Sequence, residues 1–288
     1  MSLSEGQYQI GTVKFGRNTN ISIVTVDEIG YQVSAGDYQT PMSDEMRFTK
    51  DYVQPGVIQF QLAALDNKIL PSMAEAPEDL AIQVVSGKET LEFFKKEWRA
   101  DDVRKNWGWV KPLTYCAAGS RRVLYGRPRD IASGRLKANP GWYGITAAYQ
   151  LADTLSYSEE VFSEIVAPTG AGSPGGSIER LDGTAPSWLS LAVIGPINAP
   201  TIAIGDFEIN LNYNIPNGQA VEISSAPWER RAISSTGVNL GTKLIGNSPY
   251  LEDLRFSAGE EWNIALHGTG TSSATQLLVQ WREAYHAV

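Results

Sequence analysis

Histidine, cysteine and paired carboxylates are the residues of this sequence that could do chemistry. It has two histidines, so a catalytic triad or a histidine-rich metal site would have to use His267 or His286. His267 falls in a predicted strand and His286 near the end of the printed sequence, where ordinary structural roles are expected. The single cysteine, Cys116, stands in the apolar run Leu-Thr-Tyr-Cys-Ala-Ala, which is typical of a buried thiol. These residues predict no nucleophile and no metal site.

A glycine pattern of the dinucleotide-binding type occurs once, as G-x-G-x-x-G at Gly170, Gly172 and Gly175. It contains Pro174, and no helical pattern follows it, whereas a dinucleotide site needs a helix N-terminus aimed at the pyrophosphate. The chain also lacks the G-x-x-x-x-G-K-[ST] phosphate loop and the G-x-S-x-G elbow of serine hydrolases. We therefore expect no catalytic residue of these classes and no cofactor.

Carboxylates and tryptophans leave two sugar-related hypotheses open. Glycoside hydrolysis needs two carboxylates across a cleft, and a sugar ring stacks on an exposed indole, although tryptophan also fills cores and interfaces. Trp228 and Trp262 are the candidates for glycan contact. The neighbouring acid pairs are Asp206 with Glu208, Glu252 with Asp253, and Glu260 with Glu261, and the tryptophans of the same part of the chain are Trp188, Trp228, Trp262 and Trp281.

The composition excludes some classes of protein. With 24 basic and 32 acidic residues the net charge is −8, the wrong sign for a surface that holds a phosphate backbone. No run approaches the ~20 apolar residues of a membrane span, and the first residues lack the pattern of a signal peptide. A hydrophobic share of 42% argues against disorder. We expect a folded protein made in a cytosol.

One helix is predicted among many strands. Ser86 and Glu89 form a capping-box pattern, and Leu91, Phe94 and Trp98 follow at helical spacing, which predicts a helix over 88–105 with a charged outer face. Apolar runs between turn residues, some with clear period-two alternation, predict half-buried antiparallel sheets elsewhere. The predicted strands are 21–26, 57–62, 81–85, 123–125, 144–149, 207–213 and 220–223.

A Gly/Pro-rich stretch at 168–183 has the makeup of a linker. Residues 1–165 carry 39 charged side chains and residues 166–288 only 17. Turn signals every 8–12 residues in the second part are typical of a β-sandwich or barrel. The sequence thus predicts a mainly β protein with one inserted helix: a mixed domain over 1–167, the linker, and an all-β domain over 184–288.

Turn and strand motifs of the second domain follow one another in order at 194–202, 207–213, 215–223, 230–233 and 254–264. In this order they resemble the C-terminal domain of distal tail proteins, also called minor tail proteins, of long-tailed bacteriophages of the siphovirus type. Turn and strand motifs in a characteristic order carry this resemblance, and they cover roughly 185–288. The N-terminal half fits more loosely, through Phe15-Gly16 and the Gly56–Ile58 segment.

The resemblance implies a structural virion protein of the baseplate or tail tip, not an enzyme. Proteins of this family form a ring, usually a hexamer, that joins the tail tube to tail-tip or receptor-binding proteins. The N-terminal domain builds the ring and a galectin-like β-sandwich projects outward, so the implied location is the virion tail tip, after assembly in the host cytoplasm. DNA would meet the protein only in transit, and we expect acidic or neutral side chains along the channel.

The alternative hypothesis is a carbohydrate-binding module or adhesin. It would use the C-terminal sandwich to hold host cell-surface glycans through Trp228 or Trp262. A glycan-degrading enzyme would need two of the carboxylates to face each other.

Overall fold

A computed structural model describes residues 3–28, 31–39, 46–64, 77–135, 142–169, 175–180 and 182–286. The chain forms two compact units, unit 1 up to Ser156 and unit 2 from Tyr157 to His286. Both units are built mainly of antiparallel strands, and the α-helices of the described residues lie in unit 1, which confirms the expected fold class of a β protein with one helical insertion.

Unit 1 contains two main sheets. The first runs in the order β2-β1-β9-β10 and the second in the order β11-β12-β8-β3. β13 (Leu155–Ser158) spans the division between the units. The strands are β1 (Gln7–Ile10), β2 (Val13–Gly16), β3 (Ile21–Glu28), β4 (Tyr31–Ser34), β5 (Tyr38–Gln39), β6 (Met46–Arg47), β7 (Tyr52–Pro55), β8 (Val57–Ala64), β9 (Leu113–Ala117), β10 (Ser120–Leu124), β11 (Gly126–Arg135) and β12 (Tyr143–Leu151).

The helical segment is longer than predicted and begins earlier. Helix α1 spans Pro77–Arg99, so Ser86 lies inside it rather than at its N-terminus, and the predicted start at 88 is wrong. The predicted strand over 81–85 is helical as well. Proline suits the first turn of a helix, and tertiary context outweighs the strand preference of the Val and Ile residues that follow. Ala100, at φ 48°, ends α1 before the short α2 (Asp101–Arg104).

The core of unit 1 forms where α1 packs against both sheets. Phe94 and Trp98 are fully buried and stack at 5.2 Å, and Phe94 meets Phe15 edge-on at 5.6 Å. Phe60, from the middle of β8, meets Phe15 at 5.3 Å and Trp98 at 6.0 Å. Each such side chain contributes about 1.5–3 kcal/mol by leaving water. The helical spacing of 91, 94 and 98 in the sequence therefore marks the buried face, as predicted.

Unit 2 is a β-sandwich. One sheet runs β14-β25-β16-β20-β21, with β23 paired to β16, and the other runs β15-β24-β17-β18-β22, with β19 paired to β17. Their inner faces share one apolar core, which includes Leu191 and Val279 from the first sheet and Ile202 and Leu266 from the second. The strands are β14 (Phe162–Val166), β15 (Gly176–Glu179), β16 (Ser187–Ile194), β17 (Ile197–Ile204), β18 (Phe207–Leu211), β19 (Asn214–Ile215), β20 (Ala220–Ser224), β21 (Arg231–Ser234), β22 (Leu244–Ile245), β23 (Arg255–Phe256), β24 (Glu261–Thr269), β25 (Gln276–Trp281) and β26 (Ala284–His286).

The Gly/Pro-rich stretch over 168–183 differs from a free linker in its described parts. Pro168 bridges Leu266, the Gly175 N–H donates to the Ile264 carbonyl at 2.8 Å, and β15 pairs along β24. The division between the units lies earlier, at Ser156, because these residues complete a sheet of unit 2. Residues 170–174, with two glycines of the dinucleotide-like pattern, lie outside the described residues.

A buried ion pair fastens this stretch to the last strands of unit 2. The Arg180 side chain is fully buried, and its Nε and Nη2 atoms donate to Glu283 Oε2 at 3.0 and 2.8 Å. Its Nη1 atom donates to the carbonyls of Ala185, at 3.0 Å, and of Phe256. The pair, here called the clasp, satisfies charges that would otherwise be costly to bury.

The charge of the chain is divided unevenly between the units. Unit 1 holds 18 basic and 18 acidic residues, whereas unit 2 holds six basic and 14 acidic residues. The whole net charge of −8 therefore belongs to unit 2.

Candidate assembly surfaces

The histidines and the cysteine, whose residue types can act in catalysis, have ordinary structural surroundings. His267 places Nδ1 3.1 Å from the Thr169 carbonyl, and His286 is exposed. Cys116 is a buried free thiol in β9. Among the described residues, no group of three or more His, Cys, Asp or Glu side chains could hold a metal ion. None of the helices in the described ranges is long and apolar enough to cross a bilayer.

The neighbouring carboxylates lie on the surface in local contacts. Glu208 accepts from Asn210 Nδ2 at 2.8 Å, and Glu252 pairs with Arg230 at 2.9 Å. Glu260 accepts from the indole of Trp262. Each of these carboxylates is exposed and is engaged by a neighbour within unit 2.

Trp262 packs against the core of the sandwich and does not present a fully exposed indole for a sugar ring. Its ring centroid is 4.7 Å from that of Phe256 and 5.7 Å from that of Phe207, and its Nε1 donates to Glu260 at 2.9 Å. Gly205, at φ 56°, packs so closely that an added Cβ would lie 2.7 Å from the indole. Trp262 is half-buried, so a sugar could contact only the exposed part of its indole.

Trp228 lies in the turn between β20 and β21. Its ring meets Tyr157 edge-on at 5.8 Å, and it is also half-buried. Trp262 is on β24 in the other sheet, so the two candidate glycan residues belong to different elements of the sandwich.

A cavity of about 460 Å³ in unit 1 is lined by an ion-pair network. Lys111 Nζ lies 3.0 Å from Glu97 Oε2 and 3.4 Å from Asp102 Oδ2. The Thr12 hydroxyl donates to Glu97 at 3.2 Å, and Gly11 leaves room for that carboxylate because a Cβ there would clash at 2.2 Å. The charged side chains of this network pair with one another, so the network has a structural role: it links the helices to the segment that precedes β9.

Tyr149 is a tyrosine in the core of unit 1 whose pKa is raised. It is fully buried, and its hydroxyl donates to the Lys111 carbonyl at 2.6 Å. Burial disfavours the phenolate, so the pKa of Tyr149 lies well above its ordinary value. The hydroxyl is a neutral donor at physiological pH, with a structural role.

A two-stranded extension of unit 1, here called the arm, is apolar and exposed. It consists of β4 paired with β7 and of β5 paired with β6, and the Thr49 N–H bonds Asp37 between the two ladders. Val33 stands opposite Val53 and shares its face, whereas Tyr52 points to the other face. Among the side chains of the arm that the structure describes, the exposed large apolar ones are Val33, Met46, Phe48, Tyr52 and Val53.

Both faces of the arm thus expose apolar side chains. A two-stranded ribbon of this kind is marginally stable by itself in water, and exposed apolar patches are typical of protein interaction sites. The arm is therefore a candidate assembly surface. The sequence analysis did not find it, since a strand covered by a partner chain has the same residue types as one covered by its own domain.

The two β units, with a helix inserted in the first, have a fold that is also found in solved phage proteins. The Dit protein of phage SPP1, described as a paradigm of the hub adsorption apparatus in phages that infect Gram-positive bacteria, superimposes with a TM-score of 0.61. The match covers 96% of this chain and 98% of that chain at 11% identity. The mainly β fold class expected from the sequence is confirmed.

Two structures of the phage P2 baseplate in its activated conformation are similar as well. The form with calcium gives a TM-score of 0.52 at 10% identity, and the form with strontium gives 0.51 at 11%. Each match covers 95% of this chain and 97% of the other. No family model and no curated protein matches the sequence.

Proposed function

We propose that this chain is a distal tail protein, a structural hub of the baseplate at the tail tip of a long-tailed phage. The observation that carries the proposal is the fold, which matches the SPP1 hub protein over nearly the full length of both chains. In this role the protein forms a ring, of six copies, at the end of the tail tube. The ring joins the tube to tail-tip or receptor-binding proteins, and the chain acts without a cofactor and without enzymatic activity.

Unit 1 is the ring-forming part of this proposal. The exposed arm offers apolar side chains that a neighbouring copy would cover, and its strand edges would also be covered there. The balanced charge of unit 1 allows six copies to surround one axis without strong repulsion. A neutral or acidic channel would pass DNA without holding it, so a strongly basic channel in the assembled ring would contradict this part.

Unit 2 is the outward-projecting sandwich, of galectin-like type. Its two sheets and shared core support this assignment. In the virion it would present the attachment surface for tail-tip proteins, after assembly in the host cytoplasm.

Oligomeric state and co-assembly test the proposal. Mass photometry and electron microscopy of the purified chain should give rings of six, and mixing with the tube protein of the same phage should cap tube ends. Phe48→Ser with Val53→Ser should weaken the ring, while Val238→Ser, at a site of unit 2 about as exposed as Val53, should not. A chain that stays monomeric at high concentration and never joins tail proteins would overturn the proposal.

Glycan contact through unit 2 remains a second proposal, supported by the partial exposure of Trp228 and Trp262. A glycan array compares the unmodified chain with Trp228→Ala and with Trp262→Phe, which keeps a ring against Phe256. Loss of binding in either variant supports the contact. No binding by the unmodified chain, or binding that both variants retain, removes it.

A further inference from the structure

Two tryptophans project from the loop that follows α2. Trp107 is 99% exposed and Trp109 is 53% exposed. Gly108 stands between them at φ +81°, a conformation that glycine adopts without strain. No other large apolar side chain of the described residues is as exposed as Trp107. Tryptophan is enriched among the residues that dominate binding energy at protein interfaces.

The backbone of this loop is held in place by its neighbours. Arg127 donates to the carbonyls of Asn106, at 2.7 Å, and of Trp109. The Asn106 side chain donates back to the Asp102 carbonyl at 3.2 Å. A loop that is already ordered loses little conformational entropy on docking, which suits a preformed contact better than an adaptable one.

The surroundings of the loop are basic in an acidic protein. Residues 97–111 and 127–130 hold six basic and four acidic side chains. Arg104 donates to the Pro128 carbonyl, and this places its guanidinium beside the exposed Arg129. Lys105 is exposed next to the loop. The surface that suits this loop is therefore apolar and negatively charged.

β14, an edge strand of unit 2, offers that combination. Val161 and Ile165 are exposed and lie four residues apart, which places them on one face of an extended segment, and Ile165 stands opposite the half-buried Leu278. Glu159, Glu160 and Glu164 are exposed in the same short segment.

Arg282 is a cation that contacts the backbone of this segment. Arg282 donates to the Ser158 carbonyl at 2.8 Å, and against three glutamates it leaves an excess of two negative charges. The segment that carries the apolar face of β14 is therefore negatively charged, whereas the surroundings of the loop are positively charged.

We propose that the Trp107–Trp109 loop of one copy docks on the outer face of β14 of a second copy. The contact rests on the proposed ring, in which every copy would give one loop and receive another. With up to ~250 Å² per indole, the two exposed fractions can bury roughly 300–400 Å² on the loop side. This is less than the ~800 Å² per partner of a stable interface, so the contact would act together with the arm.

Cross-linking between differently tagged chains tests the contact directly. In a Cys116→Ala background, Trp107→Cys chains are mixed with Ile165→Cys chains and treated with a short bismaleimide. A linked dimer that contains both tags is expected only in the mixture. Tyr250→Cys replaces Ile165→Cys as the control, since Tyr250 is also an exposed apolar residue of unit 2. Linking equal to the control, or linking among Trp107→Cys chains alone, would overturn the contact.

Affinity gives the second measurement. Trp107→Ala with Trp109→Ala should raise the dissociation constant of the assembly by roughly 30-fold or more, the effect of losing a central tryptophan. Tyr250→Ala should leave it within about twofold. Trp107 contacts little of its own chain, so the variant should fold and give an unchanged circular dichroism spectrum.

The outcomes separate this inference from the proposed function. A ring that forms with unchanged affinity in the tryptophan variant overturns the contact and leaves the hub proposal standing. A wild-type chain that never assembles overturns the hub proposal and the contact with it. Loss of assembly in the variant, together with the two-tag dimer, supports the contact.

Discussion

The clasp gives the sharpest test of how unit 2 is held together. Arg180→Met removes the cation and keeps most of the side-chain volume. The change leaves the Glu283 carboxylate, whose side chain is 5% exposed, without its ion-pair partner. It also leaves the carbonyls of Ala185 and Phe256 without the donors that Arg180 supplies.

These losses set the expected magnitude. Removing one partner of a buried ion pair costs about 3–5 kcal/mol, because the other charge stays buried and uncompensated. For a unit of this size each kcal/mol corresponds to roughly 3–5 °C of melting temperature. We expect Arg180→Met to lower the melting temperature of unit 2 by roughly 10–20 °C. Arg180→Met combined with Glu283→Leu should cost less than the two single changes added together, since neither charge remains.

The assay is thermal and urea unfolding followed by circular dichroism, with a double-mutant cycle. Arg231→Met is the matched control, because Arg231 pairs with Glu222 at 3.3 Å while both side chains are about 40% exposed. That change should cost less than about 1 kcal/mol. An Arg180→Met variant as stable as the control, or two single changes that add without coupling, would refute the reasoning.

Three further predictions concern the two cores. Tyr149→Phe should cost about 1 kcal/mol at neutral pH. Because the folded-state pKa of Tyr149 is raised, wild type should lose more stability than the variant as pH rises above about 10, so the difference in unfolding free energy should shrink there, and a constant difference would contradict this. Gly205→Ala should cost more than Gly218→Ala in thermal unfolding, since both have positive φ but only the first Cβ meets an indole; equal losses would show that the close approach relaxes freely. Phe94 is buried and its neighbour Phe93 is half-exposed. In urea unfolding, Phe94→Ala should therefore cost about 3–5 kcal/mol and Phe93→Ala under about 1 kcal/mol. Similar values for the two variants would contradict the helix face that we assign to the core.

The sequence predicted the parts of the fold that periodicity controls. Phe207, Ile209 and Leu211 alternate as expected on β18, and Leu91, Phe94 and Trp98 mark the buried face of α1. The start of α1 was missed because residues 81–85 suit a strand by type and become helical only in context. Local patterns carry no information on such distant contacts.

Local sequence patterns also did not predict which polar side chains are buried and which apolar side chains are exposed. Arg180 lies in a Gly/Pro-rich stretch that reads as solvent-exposed, and its burial depends on Glu283, 103 residues away. Trp107 has the residue type of a core side chain and is almost fully exposed. The opposite difference occurs at Trp262, which was a candidate for glycan contact: only part of its indole is exposed. Whether an indole is covered depends on partners that a single sequence does not specify.

The uneven charge of the two units has a consequence for how particles behave in suspension. Because unit 1 has no net charge, bringing copies of it together costs no net electrostatic repulsion. Unit 2 carries the whole net charge of −8. Many such units repel one another over about a Debye length, ~8 Å in physiological salt. In the proposed ring, assembly and colloidal stability would therefore depend on different halves of one chain. Acid that neutralises the carboxylates of unit 2, or salt that screens them, should make assembled particles clump before it takes them apart.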